Sequence, residues 1–290
     1  MEMSFPRLAA KIPTEFAAYE FLEEQRWHGR PVCPHCGSLG DHRYLEPANK
    51  VSRETSRGSQ SQRRVWKCRD CKKQFSAITN TIMHGTHVPI RTWLFVIFEM
   101  VSNKNGVAAR EIERRYDLHP KTAWFMLHRI REAMSAGTGS PFSGVVVADE
   151  TWIGGKPKNR HGHKKGQGGQ GKSDKTPVVS LVHKESGEVR SQVIVNVSGK
   201  TLRSVIAKNT DMANTTLHTD TAGTYSSFAA DLAGHESVNH STGEYVRDGV
   251  STNLAEGYFS QLKRSLDGTH HHVSVPHLDR YLVNIQVAAT

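Results

Sequence analysis

Every cysteine in the chain belongs to one of two Cys-x-x-Cys pairs, Cys33-Pro-His-Cys36 and Cys68-Arg-Asp-Cys71. Each pair can present two thiolates from a tight knuckle turn, and two knuckles close a tetrahedral four-sulfur site for one structural Zn2+. A redox reading needs a single such pair beside a βαβ pattern, which is absent here, and disulfides are rare in the cytosol. The 31 residues between the pairs exceed a minimal ribbon, so an insertion is expected, including the polar stretch Lys50–Gln62. Gly37 and Phe75 suit a zinc ribbon in which an aromatic covers a small core. A closed site of this kind folds its module and performs no catalysis.

The 290 residues suffice for two or three domains. No apolar run of membrane-spanning length and no signal-peptide core occurs, so a cytoplasmic, nucleoid-associated protein with no membrane partner is expected. The net charge of +10 is unevenly spread. Residues 1–140 carry 22 basic against 14 acidic side chains, residues 156–175 carry 7 against 1, and the remainder carries 9 against 13. A basic front end and one basic loop joined to an acidic core suit a polyanionic partner. Between the knuckles, Lys50–Lys73 holds 9 basic residues against 2 acidic ones, and Arg63 and Arg64 are its candidate phosphate contacts. A solvated basic face is the plainer alternative.

Three regions follow from the pattern. Residues 14–80 hold a helix, which Thr14 can cap, and the ribbon. Residues 88–136 read as helices. Within them Ile112, Leu118, Ala123 and Leu127 have the spacing of a small helix-turn-helix core, with Pro120 at the start of the second helix. Lys121, Thr122, Trp124, His128 and Arg131 would then project from a recognition helix towards DNA. An ordinary helical hairpin is the competing reading. Residues 144–290 alternate strand-like and helix-like segments, as in an α/β domain. A Gly-, Lys- and His-rich loop at 154–176 interrupts them, with Lys164 and Lys165 as candidate DNA contacts.

In that last region Asp149 ends the apolar run Gly144–Asp149, Asp220 ends the strand-like Thr215–Asp220, and Glu256 lies on a helix expected over Asn253–Leu266. Between Asp220 and Glu256 lie 35 residues, and Lys263 follows Glu256 by two helical turns. Two strand-end aspartates and a helical carboxylate suit a pair of divalent ions about 4 Å apart, acting on a phosphodiester. Oxygen ligands and a phosphate substrate select Mg2+, or Mn2+ in its place. Glu150, Asp211 and Asp231 are rival acids that read as structural.

These motifs together resemble the bacterial insertion-sequence transposases of the insertion-sequence 1595 family, from about residue 15 to 282. The resemblance rests on both cysteine pairs, on Lys121–Met134, on Asp149-Glu-Thr-Trp-Ile-Gly-Gly-Lys156 and on His218-Thr-Asp220. It continues in Thr252–Arg264, in Gly268-Thr-His-His-His-Val-Ser274 and in Leu278-Asp-Arg-Tyr-Leu282. It implies a multidomain chain with an N-terminal zinc ribbon, a helix-turn-helix and an α/β RNase H-like DDE catalytic domain over 144–290. The implied activity is cleavage and strand transfer at insertion-element ends. The implied partners are double-stranded DNA, both terminal repeats and target, and further copies of the chain on that DNA.

Asp149 and Asp220 match the first two catalytic positions. At the third position the family varies between Asn and Glu, and this chain has both Asn253 and Glu256. Glu256 is favoured, because a carboxylate binds a divalent ion better than an amide. Lys263 would contact phosphate near the scissile bond, and His270 and His271 are further candidates to line the site. The last eight residues, Val283–Thr290, depart from the family's aromatic, Asn-rich ending. The alternative function is therefore an inactive or truncated DNA-binding regulator; a structure-selective nuclease of the same fold is a third reading.

Overall fold

The computed structural model describes residues 3–40, 42–47, 52–55, 60–135, 139–154, 175–220, 223–239 and 242–289. It divides into two compact units, Met1–Met100 with Ile112–Ile130, and Val101–Glu111 with Arg131–Thr290.

In the first unit α1 (Phe5–Lys11) precedes α2 (Glu15–Trp27). Thr14 caps α2 as its sequence suggests, Oγ1 accepting from Ala17 N at 3.1 Å. The ribbon follows as β1 (Arg43–Tyr44), β2 (Arg53–Glu54), β3 (Gln60–Ser61), β4 (Trp66–Lys67) and β5 (Gln74–Phe75). Strands β1, β4 and β5 form an antiparallel sheet, while β2 and β3 pair separately within the insertion. Gly37, at φ 73°, supplies the left-handed residue that the first knuckle needs, and its N–H donates to Cys33 O at 2.9 Å.

Both knuckles bring their sulfurs together. Cys33 Sγ lies 3.7 Å from Cys71 Sγ, Cys36 Sγ lies 3.7 Å from Cys68 Sγ, and all four sulfurs fall within 4.8 Å of one another. Tetrahedral Zn–S bonds of about 2.3 Å require sulfurs about 3.8 Å apart, so the arrangement fits the ion. The expected aromatic cover is present. Phe75 meets Trp27 edge-on at 5.7 Å, in a core that includes Cys33, Cys68 and Ala77.

Helices α3 (Ile90–Ser102), α4 (Ala109–Tyr116) and α5 (Pro120–Ser135) follow. The carboxylate of Glu15 caps α3, accepting from Ile90 N at 2.6 Å and Arg91 N at 3.0 Å. Three residues join α4 to α5, and Asp117 takes the left-handed conformation among them, at φ 49°. Ile112, Ala123 and Leu127 are fully buried, whereas Leu118 is half-buried.

In the second unit five strands among the described residues form one sheet: β6 (Phe142–Ile153), β7 (Thr176–His183), β8 (Val189–Val193), β9 (Thr210–Asp220) and β10 (Gly234–Val238). Their order is β10-β9-β6-β7-β8, and β7 runs antiparallel to the others. The α/β domain expected over 144–290 is thus a mixed five-stranded sheet with helices packed on it. Helix α6 (Gly199–Asn209) covers one face, with Val146, Ala148, Leu217, Leu202 and Ile206 in a shared core. Helices α7 (Asn253–Arg264) and α8 (Val275–Ala289) cover the other, with Val147, Tyr258, Leu262, Leu278 and Ile285 in theirs. Strand β6 is buried on both faces, which explains an apolar run without alternation.

The sequence reading missed β10 and α8. Of the residues that depart from the family ending, 283–289 are part of α8, whose Gln286 Nε2 donates to Ser191 O at 2.7 Å. In the first turn of α7, Leu254 is 43% exposed, off the buried stripe of Tyr258 and Leu262.

We predict that the purified chain binds one Zn2+ and that Cys68→Ser abolishes this. Limited proteolysis should then open residues 13–80 while the sheet unit stays resistant. Retention of stoichiometric zinc by Cys68→Ser would contradict the four-sulfur site.

Candidate active site

Alternation along β6 decides which way its acids face. Val147 packs beneath α7, so Asp149, two residues on, faces the same side. On β9, Leu217 packs beneath α6, so His218 and Asp220 face the α7 side. Strands β6 and β9 pair in parallel with Val147 opposite His218. The pairing ends there, and Asp149 and Asp220 each follow two residues later on the same sheet face. Helix α7 crosses this face with Ala255, Tyr258, Phe259 and Leu262 buried against it. Its exposed side carries Asn253, Glu256 and Lys263. Glu256 Oε1 accepts from Thr252 Oγ1 at 3.2 Å, which orients the carboxylate at the start of the helix.

The three acids thus share one sheet face and its covering helix, although their oxygens do not all approach within 4.8 Å of one another. Mutual repulsion opposes closer approach, and a pair of cations about 4 Å apart calls for spread ligands. The donor set, oxygen only, suits Mg2+ or Mn2+. Asn253, on the same exposed side one turn earlier, offers an amide oxygen instead.

The tie that holds α7 in place comes from the segment before α4. Gln261 Nε2 donates to Lys104 O at 3.0 Å, and Ser265 Oγ donates to Asn105 O at 2.7 Å. Gly106 is required next to them: its φ is 75°, and a Cβ there would lie 3.0 Å from Asn284 Oδ1. Beyond Arg264 the helix widens into a π-helical turn, Ser265–His270. His270 packs edge-on against Tyr281 at 4.7 Å. Burial, with Arg131 and His271 adding to it, lowers its pKa to about 3.

The rival acids read as structural are placed as follows. Glu150 points to the α6 side and accepts a hydrogen bond from the buried Tyr225 hydroxyl. Burial raises its pKa to about 7, opposed by the Tyr225 hydrogen bond and reinforced by Asp149 and Asp220. Tyr225 was not singled out by the sequence, because nothing in its neighbourhood marks a tyrosine that meets a carboxylate 75 residues away. Asp211 accepts from Asn214 Nδ2 at 2.8 Å, and Asp231 pairs with Arg203 at 2.6 Å.

The candidate DNA contacts separate into two groups. Lys121 and Trp124 are exposed on α5 and Thr122 is half-buried, while Phe125 beside them is 57% exposed. His128 and Arg131 do not project outward as expected; they are 3% and 1% exposed. They lie on the side of α5 that faces inward, and the Arg131 guanidinium stacks on the Tyr281 ring at 4.0 Å. Burial lowers the Arg131 pKa to about 10. Arg64 is likewise held inside its own unit. It donates to Glu23 at 2.9 Å and Glu20 at 3.0 Å, and stacks on Tyr44 at 4.5 Å. Arg63 is exposed, with its guanidinium bonded to Ser76 Oγ at 3.0 Å. Lys164, Lys165 and most of the basic loop lie outside the described residues.

The family described as "ISXO2-like transposase domain" matches residues 141–286, and the "Transposase zinc-ribbon domain" matches residues 13–74. A relative from Halobacterium salinarum, described as an uncharacterized protein in transposable element ISH50, is 24% identical over 283 residues. The match spans 94% of this chain and 90% of that protein. Among solved structures, the catalytic core domain of BIV integrase matches 50% of this chain and 82% of its own, at 14% identity and a TM-score of 0.33.

Two tests follow. Arg64→Ala takes the guanidinium from the buried Glu23 carboxylate and leaves it only the Trp66 Nε1 donor at 2.9 Å, so the ribbon should lose about 1–2 kcal/mol while the salt dependence of DNA binding stays unchanged. A salt slope reduced by about 1 with no loss in thermal stability would restore the phosphate-contact role. For His270, the unfolded side chain protonates near 6.5 and the folded one near 3. Its stabilising contribution is complete above about pH 6.5 and is lost as the pH falls towards 3. Between pH 7 and pH 5 this group should cost about 2 kcal/mol in urea unfolding. His270→Phe should remove that part of the pH dependence, and an unchanged slope would refute the neutral buried histidine.

Proposed function

Because the chain belongs to the insertion-sequence 1595 family of transposases, we propose that it catalyses divalent-metal-dependent strand cleavage and strand transfer at the ends of its own element. The observation that carries this reading is the common sheet face of Asp149 and Asp220 beneath the helix that bears Glu256 and Lys263.

Asp149, Asp220 and Glu256 would hold two Mg2+ or Mn2+ ions. When bound, such ions make water or a 3′-hydroxyl nucleophilic and stabilise the leaving oxygen at phosphorus. The protein's part is to fix the carboxylates on rigid elements, with Thr252 orienting Glu256. Lys263, exposed two turns along α7, reaches for the phosphate next to the reacting bond. Helices α4 and α5, joined by three residues, act as a helix-turn-helix. Lys121, Thr122 and Trp124 are its DNA-facing side chains, and the zinc ribbon, with Arg63, and the basic loop with Lys164 and Lys165 add phosphate contacts. No helix among the described residues is long and apolar enough to cross a membrane. Pairing two element ends calls for at least two copies of the chain on DNA.

Cleavage and joining of duplexes carrying the element's two ends, in Mg2+, test the proposal. Asp149→Ala and Asp220→Ala should lose roughly 10²–10³-fold or more in rate while binding the ends undiminished. Glu256→Ala should fall similarly and Asn253→Ala much less; the reverse ranking makes Asn253 the third ligand. A parent chain that binds the ends and never cuts them is a regulator instead.

A further inference from the structure

Ser180 is fully buried in the middle of β7, and its Oγ has no hydrogen-bond partner among the described residues. An unmet hydroxyl in a core weakens the fold around it, and an alanine would pack there without that cost. The neighbouring positions of β7 are apolar: Val178, Val179, Leu181 and Val182 are buried in the two cores. A lone hydroxyl in such a run calls for a partner.

Alternation shows which side it faces. Val178 and Val182 pack beneath α7, whereas Val179 and Leu181 pack beneath α6, so Ser180 faces the α7 side. Asp149 faces that side too, and the antiparallel register sets it directly opposite Ser180. Side chains opposite one another in this way have Cβ atoms about 4.5–5.5 Å apart, within reach of a turn of the hydroxyl. On its other flank Ser180 lies opposite Ser191. The Ser191 hydroxyl is already shared with Tyr258 Oη at 2.6 Å and Gln286 Nε2 at 2.7 Å. Asp149 Oδ1 accepts from Glu150 N at 2.7 Å, and a carboxylate has lone pairs for further donors.

We propose that Ser180 is a positioning residue for Asp149, its hydroxyl donating to the carboxylate when a divalent cation is bound. The proposal rests on the metal-dependent reading of the acids and adds the group that orients one of them. Carboxylates that hold a cation are themselves held by donors behind them. Without the cation this hydroxyl is a burden on the fold, so one side chain exchanges stability for metal affinity.

Mn2+ binding to the whole zinc-loaded chain, read from the electron paramagnetic resonance of the free ion, tests it. Asp149→Ala defines which binding belongs to this site. Ser180→Ala should bind Mn2+ there roughly 10–100-fold more weakly. Its thermal midpoint without added Mn2+ should equal the parent's or exceed it, since no bond is lost. Ser180→Thr, which keeps the hydroxyl, should retain most of the affinity. Ser191→Ala breaks the bonds to Tyr258 and Gln286, so it should show the opposite pattern, a lower midpoint with Mn2+ affinity unchanged. Unchanged affinity in Ser180→Ala overturns the role of the serine and leaves the metal reading standing. Equal losses of affinity in Ser180→Ala and Ser191→Ala also overturn it, because they report packing beneath α7. A parent chain that binds no Mn2+ through Asp149 overturns the metal reading and the serine's role with it.

Discussion

Val147 packs into the core beneath α7, while Val146 and Ala148 pack into the core beneath α6. The direction of Asp149 follows from that alternation. A slip of one residue in β6 would bury Asp149 under α6, expose the valine core, and turn Glu150 to the catalytic side. The long pairing with β7, from Val146–His183 to Ile153–Thr176, sets the register, and both cores penalise any other. Asp220 depends on the same arrangement, since its own strand is aligned on β6 through Val146–Leu217 and Val147–His218. The side that each aspartate faces is thus a consequence of apolar packing on the strands.

The electrostatic consequence is costly. Asp149 and Asp220 raise the pKa of both Glu150 and Tyr225, so negative charge is felt through the sheet on its α6 side. Burial already favours the neutral form of Glu150, and the Tyr225 hydroxyl stabilises what charge remains. The side with Asp149 and Asp220 has a different solution available. Exposed Glu256 and Lys263 leave it open, where cations and phosphate can relieve repulsion that protein dipoles relieve on the other side. Adjacent carboxylates in one strand therefore have separate uses, decided by which face each one meets.

Much of this was legible in the residues. The cysteine pairs contain their own geometric answer, since four thiols in two knuckles have few ways to be satisfied. Asp149 and Asp220 could be found because a carboxylate closing an apolar run stands out against it, although β6 continues past Asp149 to Ile153. The chain hides contacts made across long separations. Arg64 and Arg131 look like phosphate ligands in a basic sequence, yet Glu23 and Tyr281 claim them from 41 and 150 residues away. Strand β10 (GHESV) has too few apolar residues to announce itself, and it forms because β9 offers an edge. Helix α8 was obscured by comparison with a family ending, although Leu278, Leu282 and Ile285 have the spacing of a buried stripe.

The burial of His128 and Arg131 narrows how α5 can meet DNA. Its outward residues are Lys121, Trp124 and Phe125 near its N-terminal end and Glu132, Ala133 and Ser135 near its C-terminal end, while His128 and Arg131 are committed to packing. On the proposed reading, a groove would meet the first two turns, where a recognition helix contacts base edges. The aromatic content of that end favours contact with thymine methyl groups or sugar over the bidentate reading of guanine that arginines provide.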